Sequence, residues 1–207
     1  MLRGKKIALY AISDDVLTPD ETILEQTRVS LEAGVDIFQY RNKIDKDEDV
    51  KDICIALQEL CREYGVTFII DDRPHLAAEI GADGLHIGKN DMPITEARKI
   101  FSEGIIGVSC YASVRNAIEA EAEGADYVAF GSFFPSPTKP KSGIAPMSVI
   151  QRAKEAVKIP VCVIGGINAS NVHELVKEKP DMISVVSGVY EGDITRNVKK
   201  LLEELEK

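Results

Sequence analysis

The chain has 207 residues, 44% hydrophobic and 29% charged, enough for a full buried core and incompatible with a disordered chain. Its formal net charge of -9 argues against a broad nucleic-acid footprint, yet leaves room for a small anion held by local cations. Cys54, Cys61, Cys110 and Cys162 form no C-x-x-C pair, as expected of thiols in a reducing cytoplasm, and the apolar run behind residues 1–6 is too short for a signal peptide or membrane span.

Apolar runs of strand length recur at residues 7–12, 37–40, 66–70, 84–87, 105–108, 127–130, 161–164 and 183–186. Between them lie segments of helical spacing, such as Ile53, Leu57, Leu60 and Tyr64, or Val149, Ile150, Ala153 and Val157. Cys54 and Cys61 are placed to share a face of the first of these. Strands apolar throughout and alternating with helices indicate a parallel sheet covered on its outer face. Eight such units predict a (β/α)8 TIM barrel, with residues 1–207 forming one domain and a last helix over 197–206 sealing it. Every second strand is introduced by glycine or proline and then aspartate: Gly34-Val35-Asp36, Gly81-Ala82-Asp83, Gly124-Ala125-Asp126 and Pro180-Asp181. Glycine would end the preceding helix in a left-handed turn, and aspartate would close the αβ loop with a bond to backbone.

In such a barrel the chemistry lies in the loops after the strands. Ser13, Asp14 and Asp15 follow the first. The second ends in Gln39-Tyr40-Arg41-Asn42-Lys43, whose guanidinium can fork onto phosphate oxygens while the ammonium adds a point charge. The third ends in Asp71-Asp72-Arg73-Pro74, and Asp91 follows the fourth. Adjacent loops are neighbours, so Asp72 and Asp91 are expected to face one cavity, as a Mg²⁺–diphosphate site requires; either alone would also serve as a helix N-cap. His86, in the fourth strand, is read as packing or hydrogen-bonding structurally, with a general base as the lesser alternative, and Ser109 as a hydroxyl at the rim.

The loop after the sixth strand, residues 131–143, carries Pro135, Pro137 and Pro140 among hydroxyls and lysines. Proline stiffens it and denies it a place in the sheet, so Ser136, Thr138 and Lys139 suit a phosphate, with a stiff solvated connection as the alternative. Gly165-Gly166 and Val186-Ser187-Gly188, after the last two strands, let backbone N–H groups approach a second phosphate.

Gln39-Tyr40-Arg41-Asn42-Lys43, Asp71-Asp72-Arg73, Gly81-Ala82-Asp83-Gly84-Leu85-His86-Ile87-Gly88, Asp91-Met92-Pro93, Ile106-Gly107-Val108-Ser109, residues 135–139 and Val163-Ile164-Gly165-Gly166-Ile167 occur in a specific order and spacing. In these segments the chain resembles the thiamine phosphate synthase family along nearly its whole length. The resemblance implies a transferase that joins 4-amino-2-methyl-5-hydroxymethylpyrimidine diphosphate to a thiazole phosphate, carboxylated or not, releasing diphosphate. Gln39, Arg41, Lys43, Asp71, Ser109 and Lys139 would hold the pyrimidine diphosphate, with Arg41, Ser109 and Lys139 acting on the leaving group. Asp72 and Asp91 would hold Mg²⁺, and Ser136, Thr138, Gly166, Val186 and Ser187 the thiazole phosphate.

The chain departs from the family's usual residues at several points. Asp71 stands for asparagine, Tyr40 and Asn42 for leucine and glutamate, Lys89 and Asn90 for glutamine and glutamate, and Cys110-Tyr111 for alanine and histidine. The rival readings are the sister thiazole tautomerases, which should lack the metal aspartates and basic grip, another phosphate-binding barrel such as an isomerase of aromatic amino-acid synthesis, and a non-catalytic thiazole-phosphate binder. Expected partners are small molecules only, with no nucleic acid or membrane; a homo-oligomer is left open.

Overall fold

The computed structural model describes residues 4–88, 91–135 and 143–207. Eight parallel strands pair in chain order and the last closes onto the first. They are β1 (Ala8–Ile12), β2 (Ile37–Tyr40), β3 (Thr67–Asp71), β4 (Gly84–Ile87), β5 (Ile105–Tyr111), β6 (Tyr127–Gly131), β7 (Val161–Ile164) and β8 (Met182–Val185). Helices α1 (Ile23–Ala33), α2 (Asp47–Glu63), α3 (Pro74–Ile80), α4 (Ile94–Ile100), α5 (Val114–Ala122), α6 (Ser148–Ala156) and α7 (Val172–Val176) return the chain between them. Short α8 (Ser187–Tyr190) and α9 (Ile194–Leu205) follow β8. The expected (β/α)8 barrel is therefore the fold. The last helix starts earlier than residue 197 because the Asp193 side chain caps it, accepting the Arg196 N–H.

Alternation along each strand divides the core. Outward residues such as Leu9, Phe38, Ile70 and Val128 pack against the helices, joined by Cys54 and Cys61 from one face of α2. Inward Tyr10, Ile37, Ile69, Tyr127 and Met182 fill the barrel. Among the described residues, no helix is long and apolar enough to cross a membrane.

At the N-terminal rim, Gly34 and Gly81 end α1 and α3 in the left-handed conformation, as the sequence predicts. The aspartates behave differently from expectation. Asp36 accepts the N–H of Leu9 at 3.0 Å, Asp83 that of Phe68, Asp126 that of Ile106 and Asp181 that of Val161, the last three at 2.8 Å. Each bond leaves its own loop and reaches the neighbouring strand, because the short loop sets the carboxylate beside the start of that strand. The four aspartates thus staple β1 to β2, β3 to β4, β5 to β6 and β7 to β8. Lys5, Arg98 and Lys154 neutralise three of them.

Candidate active site

The opposite ends of the strands surround a cavity of about 320 Å³, within the usual range for small-ligand pockets. Every strand contributes to its lining, among them Gln39, Asp71, His86, Ser109, Tyr127, Cys162 and Ser184.

One side is charged. Arg41 Nε lies 3.7 Å and Lys43 Nζ 3.3 Å from Asp71, and Lys43 Nζ is also paired with Asp72. Successive strand residues normally point to opposite faces, yet Asp71 and Asp72 both line the cavity. Asp72 does so by leaving the strand in the left-handed region, at φ 61°. Its Oδ2 is buried against Lys43 without a well-formed hydrogen bond. Asp91 is not a helix cap: α4 begins after Pro93, and the Asp91 carboxylate accepts the Gly88 N–H at 2.6 Å, which holds it at the cavity wall.

The loop bearing the two cations is fixed from both sides. Ser13 Oγ accepts the Arg41 N–H at 2.8 Å, tying the ends of β1 and β2. Arg73 donates to the carbonyls of Asn42 and Asp45 at 2.8 and 2.6 Å and to the Asp47 carboxylate. Arg73 is a positioning residue that sequence reasoning quoted without assigning it a role.

The floor is polar. Gln39 Nε2 donates to Tyr10 Oη at 2.6 Å, and the Tyr10 and Tyr127 hydroxyls lie 3.0 Å apart. Tyr127 Oη lies 2.8 Å from His86 Nδ1, and His86 Nε2 lies 2.9 Å from Ser109 Oγ. Burial pushes both phenols well above the ordinary tyrosine range, so they stay protonated. The His86 expectation of a structural hydrogen bond holds, and with both ring nitrogens engaged it is not presented as a base. Cys162, beside Ser184 at 3.0 Å, also lines the cavity, but burial pushes its thiol up to about 12, far from a nucleophilic thiolate.

The remaining side is built from glycine. Gly165 and Gly166 have φ of 109° and 66°. A Cβ on Gly165 would run into Ser132, and one on Gly166 into the carbonyls of Phe134 and Pro135. The β6 and β7 loops are knitted there by the Phe134 N–H to the Gly165 carbonyl at 3.0 Å. Val186 and Ser187 line the same side.

The structure thus brings Gln39, Arg41, Lys43, Asp71, Asp72, Asp91, Ser109, Gly166, Val186 and Ser187 to one cavity. Ser136, Thr138 and Lys139 lie outside the described residues, as do Lys89 and Asn90. Of the sequence departures, Tyr40 and Cys110 face away from the cavity into the outer core, and Asn42 builds a local turn by accepting the N–H groups of Ile44 and Asp45. Tyr111 does reach the cavity. A register shift between Ser109 and Tyr111 re-aims it, and it stands at φ 58°. Tyr10 and Tyr127 are cavity residues that sequence reasoning missed; the available signal was a tyrosine at an inward position of a strand with alanine two residues away.

The family model described as thiamine monophosphate synthase matches residues 9–189. A thiamine-phosphate synthase from Wolinella succinogenes is 43% identical over 200 residues, covering 94% of this chain and 92% of the relative. A solved thiamine phosphate pyrophosphorylase from Pyrococcus furiosus superposes with a TM-score of 0.88 at 38% identity, covering 98% of this chain and 96% of the other. Phosphoribosylanthranilate isomerase from Thermotoga maritima, at 15% identity and a TM-score of 0.66 with 97% and 98% coverage, shares the fold alone.

Proposed function

The chain belongs to the thiamine monophosphate synthase family and is a transferase that makes thiamine phosphate, and from that premise we propose how its barrel mouth carries the reaction. The observation that carries the reading is the charge arrangement at one wall: Arg41 and Lys43 stand against Asp71 and Asp72, with Asp91 on the same cavity. Among the described residues of that wall three carboxylates face two cations, an arrangement that suits a divalent cation arriving with an anionic ligand.

Arg41 and Lys43 bind the diphosphate of the hydroxymethylpyrimidine substrate, together with Lys139, and Gln39 and Ser109 orient the rest of that molecule. Asp72 and Asp91 hold Mg²⁺. The fit is supported by the hard oxygen donors of both residues on one cavity and by Asp72 having a side-chain ammonium, Lys43, as a partner that a cation can replace. Bound there, Mg²⁺ would neutralise charge on the diphosphate oxygens. Among the described residues no cluster of three or more His, Cys, Asp or Glu forms a metal cage, so water and substrate oxygens would complete the shell. The thiazole phosphate sits on the glycine wall, held by backbone at Gly166, by Val186 and Ser187, and by Ser136 and Thr138.

The C–O bond between the pyrimidinylmethyl carbon and diphosphate breaks, and its electron pair leaves with the diphosphate. The thiazole nitrogen lone pair then forms the new C–N bond. No proton moves, so no general base is needed, in keeping with the engaged His86 and the buried thiols. The cations stabilise charge where it develops, and the barrel aligns the reactants. We read the protein as cytoplasmic, a reading supported by its four free, buried cysteines.

The test is thiamine phosphate formation from both substrates with Mg²⁺ and with EDTA. Product only with Mg²⁺ is expected. Equal product in EDTA would remove the metal from the scheme, and no product in either would overturn the reading.

A further inference from the structure

We propose that Tyr10, Tyr127 and His86 form a hydrogen-bond relay that sets the polarity of Ser109, so that its hydroxyl donates into the cavity. The ligand assigned to that donor rests on the function proposed above; the relay's polarity does not.

Four bonds run in series across the barrel: Gln39 Nε2 to Tyr10 Oη at 2.6 Å, Tyr10 to Tyr127 at 3.0 Å, Tyr127 to His86 Nδ1 at 2.8 Å, and His86 Nε2 to Ser109 Oγ at 2.9 Å. Each phenol has one proton to give. Gln39 gives an amide N–H to Tyr10, so the Tyr10 proton goes to Tyr127 and the Tyr127 proton to Nδ1. The neutral imidazole then carries its proton on Nε2 and donates it to Ser109. With its oxygen accepting from His86, Ser109 keeps its own proton for the cavity, which it lines.

The reverse order fails at the other end. If Ser109 donated to His86 and the chain ran backwards, Tyr10 would accept from both Gln39 and Tyr127. Its own proton would then have no acceptor among the described groups, on a side chain that is 1% exposed. An orphaned buried donor is the costly case. Burial keeps both phenols protonated, so neither can end the relay as a phenolate.

The two ends are coupled. With Nε2 engaged by Tyr10, Gln39 has Oε1 left as the acceptor for a ligand amino group, while Ser109 offers a donor. An aminopyrimidine diphosphate has the complementary pattern: an amino group at one end and anionic oxygens, which gain charge as the leaving group departs, at the other. A carboxylate in place of the Gln39 amide would accept from Tyr10 and invert every bond. Tyr10, Tyr127 and His86 are therefore positioning residues, acting through Ser109.

The readout is the His86 tautomer, followed by long-range proton–nitrogen NMR of ¹⁵N-histidine-labelled protein at about pH 8, above the ordinary histidine range. The signal is assigned by its loss in His86→Gln. The expected wild-type ring is protonated on Nε2 alone, and the expected Gln39→Glu ring on Nδ1. A wild-type ring protonated on Nδ1, on both nitrogens or exchanging between tautomers overturns the relay, as does a Gln39→Glu ring still protonated on Nε2. In turnover, Tyr127→Phe should lose about tenfold in kcat/KM for the pyrimidine diphosphate with KM for the thiazole phosphate unchanged; unchanged kcat/KM overturns the catalytic consequence. Should that variant fail to fold, the wild-type and Gln39→Glu spectra decide. Wild-type thiamine phosphate formation reports the proposed function separately, so either can fail alone.

Discussion

The two rims of the barrel use the same side chain in opposite ways. At the N-terminal rim, Asp36, Asp83, Asp126 and Asp181 each accept a backbone N–H from the preceding strand, and a lysine or arginine neutralises three of them. A backbone partner cannot leave, so those carboxylates are committed to holding strands together. At the C-terminal rim, Asp71 and Asp72 pair with side-chain cations, Arg41 and Lys43. Those partners can be exchanged for a ligand and its metal. Aspartate bonded to the backbone of a neighbouring strand holds strands together; Asp71 and Asp72 pair with side-chain cations that a ligand can replace, and Asp91, bonded to the Gly88 N–H of its own loop, still faces the cavity.

The largest expected break of this contrast is Asp91→Asn. The amide oxygen can still hold the Gly88 N–H, so the loop should survive, while loss of the charge should lower Mg²⁺-dependent turnover by about 10²-fold or more. Steady-state rates alongside a melting curve check both halves: a fall in rate with melting unchanged is expected, and retained rate would return Asp91 to a structural role. At the other rim, Asp36→Ala should strand the fully buried Leu9 N–H and lose the Lys5 pair. That should cost about 2 kcal/mol, or about 4–8 °C in melting temperature, with kcat intact. Loss of kcat at a temperature where the variant remains folded would erase the distinction between rims. The smallest effect is expected from Asp71→Asn, which releases Arg41 and Lys43 from a competing anion. KM for the pyrimidine diphosphate should fall by about threefold or less, as befits partly exposed pairs, and a large loss of activity would give Asp71 a role of its own.

Much of the site was legible from residue type and position. Arg41, Lys43, Asp72 and Ser109 could be read because strand ends in a parallel barrel converge, and Gly165-Gly166 because paired glycine after a strand invites a close backbone approach. The relay was not legible, since Tyr10 and Tyr127 lie 117 residues apart and each reads as an ordinary apolar strand residue. Nor could the changed residues be sorted by sequence: Tyr40 and Cys110 face the outer core, while Tyr111 reaches the cavity after the register shift at Ser109.

By itself the sequence determined the strands, the helices, the closure of eight units into a barrel and the rim that carries chemistry, because hydrophobic period and glycine placement are local properties. Only the tertiary structure decided which partner each charge takes. Whether an aspartate meets a backbone N–H, a lysine or a buried hydroxyl depends on strand neighbours far away in the chain and on which way a left-handed residue turns its side chain. Over those distances, partner choice follows strand register and barrel closure.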